Sequence, residues 1–324
     1  MLLLQAGATR IQPPAAHVPV GCAQVFRVGL VADVAGLDSS ADAAVWRGVH
    51  DGLRGLRCAQ AEVAVPTRPS DYRRMLQAYA GDDLVIAASF LLTDAVADVA
   101  RANPGTRFML VDPMVAPMPP PNVAVLVFRE DQAAFLAGAL ATMVTRTGLI
   151  AGVYGPSGVA DQRNRSGFEH GAAFVRPGIR VLGAYQPAGD GLPYANPGWG
   201  AARARAFVRQ GADLIFGTGG STGTGALRGA AQAGGVCIGA GDSSRDPAVS
   251  DCLLASTIKH VDRGVALMVA DAAAGRWAGG IRTVGLAEGA VELGPVQHEL
   301  PSDQLEHLQI IAAGLASGTL KTGA

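Results

Sequence analysis

Two charged residues stand at the ends of apolar runs. Asp112 closes RFMLVD, and Lys259 follows LLASTI. A carboxylate so placed can accept hydrogen bonds from a ligand or cap the turn it begins. An ammonium there offers three donors on a flexible stem, or stays solvated at the surface. Most basic residues of the chain are arginines, which singles Lys259 out.

Other polar clusters follow apolar runs in the same way. After VGLVAD comes the loop Gly36-Leu37-Asp38-Ser39-Ser40-Ala41-Asp42. Asp38, Ser39 and Ser40, with Asp42 behind them, supply hydrogen-bonding groups for a polar ligand; Asp38 or Ser39 equally suits the cap of the following helix. Ser89 and Phe90 follow DLVIAA, and Phe90 either lines a cleft or sits in the core. Asp242, in GAGDSSRD, is a ligand contact or an Asx turn. The stretch GTGGSTGTGA, Gly217–Ala226, is not a P-loop, because no Gly-Lys-Ser/Thr follows, and it misses the GxGxxG fingerprint at Thr222. It reads as close backbone approach to a neutral ligand, with Gly220 and Ser221 at its centre.

Catalytic signatures are missing from the sequence. GPSGV around Ser157 is not a nucleophile elbow. The six histidines form no metal pair on one helix face, and His260 beside Lys259 reads as solvated or core. No cofactor and no metal is expected.

These candidates need elements to position them. Continuous Val/Ile/Leu runs alternate with amphipathic patterns from end to end. Strands are expected near 27–32, 62–65, 84–88, 107–111, 123–127, 149–153, 180–185, 214–216, 236–239 and 252–257. Runs without polar alternation are those of parallel strands covered on both faces. In ADAAVWRGVHDGLRGL, Val45, Val49, Leu53 and Leu56 share a helical face. Further helices are expected over 71–80, 92–102, 130–145, 167–175, 201–210, 225–233, 261–274 and 302–317. Strand alternating with helix means α/β, doubly wound. Ten strands are many for one open sheet, so two Rossmann-like lobes are expected, joined by hinge strands, with ligand outside the carboxyl ends of the strands.

Composition bounds the function. With 49% hydrophobic and 16% charged residues, a sizeable core is available. A net charge of −1 without a basic block disfavours nucleic acid as a partner. No apolar run reaches the roughly 20 residues of a membrane span. Cys58, Cys237 and Cys252 read as buried small hydrophobes, with Cys237 and Cys252 able to pair in an oxidising compartment. The start, MLLLQAGATRIQPPAAHVPVGCAQ, lacks the features of an export signal, yet Gly21-Cys22 is like a degraded bacterial lipoprotein box. Cys22 is therefore either a lipidation site or incidental.

Read in order, several segments resemble the basic membrane protein family, the substrate-binding lipoproteins of ABC transporters similar to purine-nucleoside receptors. These are VGLVADVAGLDSS with its WRG, DLVIAASFLLTDAV, FMLVDPMV, NVAVLVFREDQAAFLAGALATMVTRTG, GADLIFGTGGSTGTGA, IGAGDSSRD and ASTIKHVDRGV. The resemblance covers about 27 to 295 and is collinear. It implies a type I periplasmic-binding-protein fold, no catalysis, a small-molecule ligand such as a nucleoside, and an ABC permease as partner. It implies that Asp112 receives ribose hydroxyls, that Lys259 lies at a hinge, and that Asp242, or Gly241 given one extra residue here, reads a base edge.

The sequence also departs from that family. Its first loop is shorter and carries no aromatic, and the second stacking position falls on Asn164 in NRSGF. Each base–aromatic stack is worth roughly 1–3 kcal/mol, so losing both halves of the clamp would weaken nucleoside binding by orders of magnitude. Trp46 and Tyr154 are the candidates to compensate. The expected organisation is a leader over 1–24, lobe one over 25–128 and 260–282, and lobe two over 129–259 and 283–320. The expected location is periplasmic or extracytoplasmic, anchored if Cys22 is lipidated. A cytoplasmic ligand sensor on the same fold is the alternative, and a nucleoside-processing enzyme a more distant one.

Overall fold

The computed structural model describes residues 22–114 and 118–324. The expected leader thus lies outside the described residues except for its last positions. Twelve strands and nine α-helices follow among the described residues. The first half runs β1 Phe26–Val31, α1 Ser40–Gly52, β2 Ala59–Ala64, α2 Tyr72–Ala78, β3 Leu84–Ala87, α3 Thr93–Ala102, β4 Phe108–Val111 and β5 Val123–Phe128. The second runs α4 Glu130–Val144, β6 Leu149–Tyr154, α5 Val159–Val175, β7 Arg180–Tyr185, α6 Pro197–Arg209, β8 Leu214–Gly217, α7 Gly220–Gln232, β9 Val236–Ala240 and β10 Leu253–Lys259. The chain closes with α8 Val261–Ala273, β11 Gly280–Val284, β12 Val291–Leu293 and α9 Ser302–Ser317.

Two six-stranded sheets result. One has the order β11-β5-β4-β3-β1-β2 and is parallel throughout. The other has the order β12-β10-β9-β8-β6-β7, parallel but for β12. Every residue of β3, β4, β5 and β6 is buried, because helices cover both faces of each sheet. Each sheet accordingly has a core cluster on either side.

The chain passes between sheets three times, from β5 to α4, from β10 to α8 and from β11 to β12. The crossing segments hold one another: the Arg129 N–H donates to the Val284 carbonyl at 2.8 Å, and the His260 N–H to Ala290 at 2.8 Å. Strands β11 and β12 went unread in the sequence because GIRTV is a polar edge strand and VEL is only three residues long.

Three helices start earlier than their apolar periodicity suggested, α5 at Val159, α6 at Pro197 and α7 at Gly220. Their first turns are rich in glycine and polar residues, which hide the pattern. In α7 those glycines serve packing: a Cβ on Gly225 would lie 2.1 Å from the Pro197 carbonyl oxygen, so α6 and α7 meet backbone to backbone.

The cysteines follow the sequence reading in one pair and depart from it in the other. Cys22 pairs with Cys58 and Cys237 with Cys252, with Cα separations of 5.7 and 5.1 Å. Each bond ties residues at the starts of neighbouring strands, β1 to β2 and β9 to β10. A sulfur held in a disulfide cannot carry a thioether-linked lipid, so the lipidation assignment of Cys22 is corrected. Cys237 and Cys252 are buried as expected and take the pairing left open for them, while Cys58 is half-buried and bonded to Cys22.

Candidate functional site

In a parallel sheet every strand ends on the same side, so the loops that follow converge there. Here the carboxyl ends of both sheets face one cavity of about 520 Å³, within the range of small-molecule sites.

Lobe one contributes three loops. After β1, Asp33 reaches the wall; its backbone N–H donates to Asp42 Oδ2 at 2.9 Å, and its own Oδ1 accepts from the Ala35 N–H at 2.7 Å. Ser40 and Asp42 come from the first turn of α1. After β3, Ser89 accepts from the Leu91 N–H at 3.3 Å and presents Phe90 to the cavity. After β4, Asp112 adopts φ +53°, a left-handed backbone conformation that, among non-glycine residues, Asp and Asn adopt most readily.

Lobe two contributes the ends of β6, β8, β9 and β10. Asp161, at the start of α5, accepts from the Gly155 N–H at 3.1 Å and lies 3.5 Å from the Thr218 hydroxyl. Asn164 follows one turn later. Thr218, Gly219 and Gly220 line the wall before α7, and Ala240 and Gly241 after β9. Tyr194, in the loop before α6, has φ +64°. It fits because its neighbours are glycines: a Cβ on Gly155 would stand 2.7 Å from the Tyr194 ring, and one on Gly220 would stand 2.7 Å from its carbonyl oxygen.

At the crossing, Lys259 Nζ forms an ion pair with Asp112 Oδ2 and lies 3.3 Å from Glu130 Oε1. It also stands 5.4 Å from the Phe128 ring centre, a cation–π distance. Burial alone would lower the Lys259 pKa, but the Asp112 and Glu130 carboxylates reverse this and hold it raised. Burial lifts Glu130 to about 7 against the pull of Lys259. It lifts Asp42 to about 6 and Asp161 to about 6, the latter opposed by the Gly155 N–H. Tyr194 is raised by burial and by the nearby Asp161.

Of the residues singled out from sequence, Ser40, Asp42, Ser89, Phe90, Asp112, Asn164, Gly220 and Lys259 meet at this cavity. Others do not. Asp38 is exposed in the turn before α1, and Ser39 is the N-cap of α1 without a capping side-chain bond. Trp46 packs on the core beneath α1, edge-on to His50 at 4.4 Å. Ser221 instead fixes Tyr194, donating to its carbonyl at 3.2 Å. Asp242 is mostly exposed and faces Arg245 at 3.4 Å, so Gly241 takes the wall position. Tyr154 is fully buried between Tyr185 and Phe216. His260 turns to Glu292 at 2.9 Å.

Sequence reasoning missed Asp33, Glu130, Asp161 and Tyr194 as wall residues. Asp33 directly follows the first apolar run and was open to the strand-end argument. Glu130 and Asp161 looked like ordinary acidic first turns, and Tyr194 lies in an irregular loop without periodicity. Neither of the two expected stacking positions carries an aromatic, but Phe90 and Tyr194 bring rings from opposite lobes to a centroid distance of 6.2 Å, tilted by 60°.

The arrangement offers hydrogen-bond donors and acceptors to a ligand. Ser40 and Ser89 line the cavity with no histidine beside them. Among the described residues no cluster of three or more His, Cys, Asp or Glu is arranged to hold a metal.

Comparison with known proteins sets this geometry in context. The family model for PnrA-like ABC transporter substrate-binding proteins, Bmp, matches residues 29–314. Basic membrane protein B of Borrelia garinii is 29% identical over 219 residues, 66% of this chain and 63% of that protein. The ABC transporter nucleoside-binding protein BmpA of Lactococcus lactis is 29% identical over 231 residues, 66% of this chain and 64% of its own length. The matches thus span slightly under two thirds of these relatives. An ABC transporter solute-binding protein from Aeropyrum pernix superposes with a TM-score of 0.69 over 91% of this chain and 92% of its own, at 21% identity, a likeness of fold.

Proposed function

The chain belongs to the PnrA-like family of ABC transporter substrate-binding proteins, and from that premise we propose that it is an extracytoplasmic solute receptor. It captures a nucleoside or related small polar molecule between its lobes and presents it to an ABC permease. The observation that carries the reading is the Asp112–Lys259 pair on the wall of a cavity shared by both lobes. Asp112 accepts from ligand hydroxyls and Lys259 donates to ligand acceptors, while Phe90 and Tyr194 offer ring faces to a flat group. Charge-assisted hydrogen bonds of this kind are worth about 1.5–3 kcal/mol each. The nucleoside class is supported by the named function of the Lactococcus relative.

Two disulfides accord with an oxidising compartment. The reading includes no turnover, since the cavity supplies binding groups without a nucleophile–base–orienter set.

Native mass spectrometry of the purified protein, followed by calorimetric titration with adenosine, guanosine and inosine, tests this. Saturable binding of at least one nucleoside is expected, weakened when Tyr194→Leu removes a ring by about 1–3 kcal/mol. A co-purifying solute of another class, together with no response to any of the three, would replace the nucleoside reading. Release of free base during the titration would refute the absence of turnover.

A further inference from the structure

Among the described residues, five carboxyl groups line the cavity, those of Asp33, Asp42, Asp112, Glu130 and Asp161, against the single cation Lys259. Among the described residues, Lys259 is engaged by Asp112 and Glu130, and Arg163 approaches Glu130 at 3.7 Å; no cation comes within ion-pair distance of Asp33, Asp42 or Asp161.

Asp42 is the least exposed of these five residues. Asp42 is 1% exposed, and its Oδ2 is occupied by the Asp33 N–H. Its Oδ1 has no hydrogen-bond partner. The Asp33 carboxylate lies close enough to raise the Asp42 pKa further. The amino end of α1 supplies about half a positive charge, too little to balance two carboxylates. Across the cavity Asp161, 2% exposed, likewise has an Oδ2 without a full hydrogen-bond partner, although the Tyr194 hydroxyl acts on it as a donor and holds its pKa back. A buried carboxylate oxygen left without a donor keeps its desolvation penalty; the buried Tyr72 hydroxyl is close enough to feel Asp33 and Asp42 yet bonds to neither, so a donor to Asp42 is to be sought in what the cavity binds.

We propose that the solute is a small hydroxylated molecule carrying a protonated amine, with the amine seated against Asp33 and Asp42. An ammonium supplies three donors and the missing charge at once. The rings of Phe90 and Tyr194 add faces that attract a cation. An organic cation suits the site better than a metal, because no metal-holding cluster exists among the described residues. A phosphorylated solute is disfavoured, since its charge would meet five carboxyls. The inference deepens the receptor reading by naming the ligand's charge, and two scaffolds satisfy it: an amino-substituted nucleoside and an amino sugar.

The test is calorimetric titration of the full chain with two matched pairs, adenosine against 5′-amino-5′-deoxyadenosine and glucose against glucosamine, at neutral pH. In at least one pair the amine is expected to bind about tenfold tighter or more, the equivalent of one charge-assisted hydrogen bond. Asp42→Asn should abolish that preference, since the amide oxygen it introduces can still accept the Asp33 N–H while the charge is gone. Asp33→Asn serves as the second variant should the first impair folding. Adenosine binding as tightly as its amine, with no gain for glucosamine, overturns the cation and leaves the nucleoside receptor standing. Glucosamine binding alone overturns the nucleoside and keeps the cation. Equal affinities within both pairs, or silence from all four probes at millimolar concentration, overturns the proposal.

Discussion

Lys259 and Asp112, 147 residues apart in the chain, are joined as an ion pair on the cavity wall, with Glu130 on the other side of the ammonium. Lys259 closes β10 just before a crossing between lobes, and Asp112 follows β4 in the first lobe. The pair therefore belongs to the fold as well as to the proposed binding surface.

Lys259→Met should destabilise the protein even without solute. Removing one partner of a fully buried pair costs about 3–5 kcal/mol. Lys259 and Asp112 are 28% and 31% exposed, so we expect a smaller loss, about 1–3 kcal/mol. Adding Glu130→Gln to Lys259→Met should recover part of it, because the carboxylate left without its cation is then gone. Urea unfolding at pH 8 measures both; an undiminished midpoint in Lys259→Met would show that the pair contributes nothing.

Glu130 should make stability fall as the solution becomes less acidic. Its pKa is raised from 4.5 to about 7 in the folded protein, so the native state keeps a proton that the unfolded chain releases earlier. That contribution is fully present below about pH 4.5 and is lost as pH rises through about 7, on the order of 1–3 kcal/mol. Asp42 and Asp161 act with the same sign between 3.8 and about 6. The difference between the native chain and Glu130→Gln isolates the Glu130 part. Parallel stability-versus-pH curves for the two proteins would rule the linkage out.

Gly171→Ala should loosen the second lobe. A Cβ there would lie 2.0 Å from the Phe135 carbonyl oxygen, where α5 crosses α4. Two helices that touch through their backbones must separate to admit a methyl group, at about 1–3 kcal/mol. A thermal midpoint unchanged from the parent would mean that the helices lie farther apart than described.

The four cysteines should be unreactive toward iodoacetamide under non-reducing, denaturing conditions, since both pairs are bonded. Replacing Cys237 and Cys252 together by serine should cost about 3 kcal/mol, the loop-closure entropy of some 15 residues. One or more alkylated sites in the intact-mass spectrum, Cys22 above all, would reject the pairing.

The α/β class and much of the site were legible in the chain itself, because both follow from local rules. A short apolar run without polar alternation, bounded by turn residues and alternating with helical patterns, suits a strand covered on both faces, and in a parallel sheet the loop after such a strand lies on the ligand side. Asp112, Lys259, Ser89 and Phe90 stand at such ends, and the family resemblance singled out Asp112 and Lys259 among them. What the sequence left undecided depends on backbone direction and on neighbours distant in the chain. Asp38 and Asp42 are four residues apart in one polar loop, yet only the turn into α1 buries Asp42 and leaves Asp38 in water. Tyr194 reaches the cavity through a left-handed backbone angle that two distant glycines accommodate. Cys22 meets Cys58 because β1 and β2 start side by side. In each case residues far apart in the chain must be packed before the side chain's place is decided, and no local periodicity records that packing.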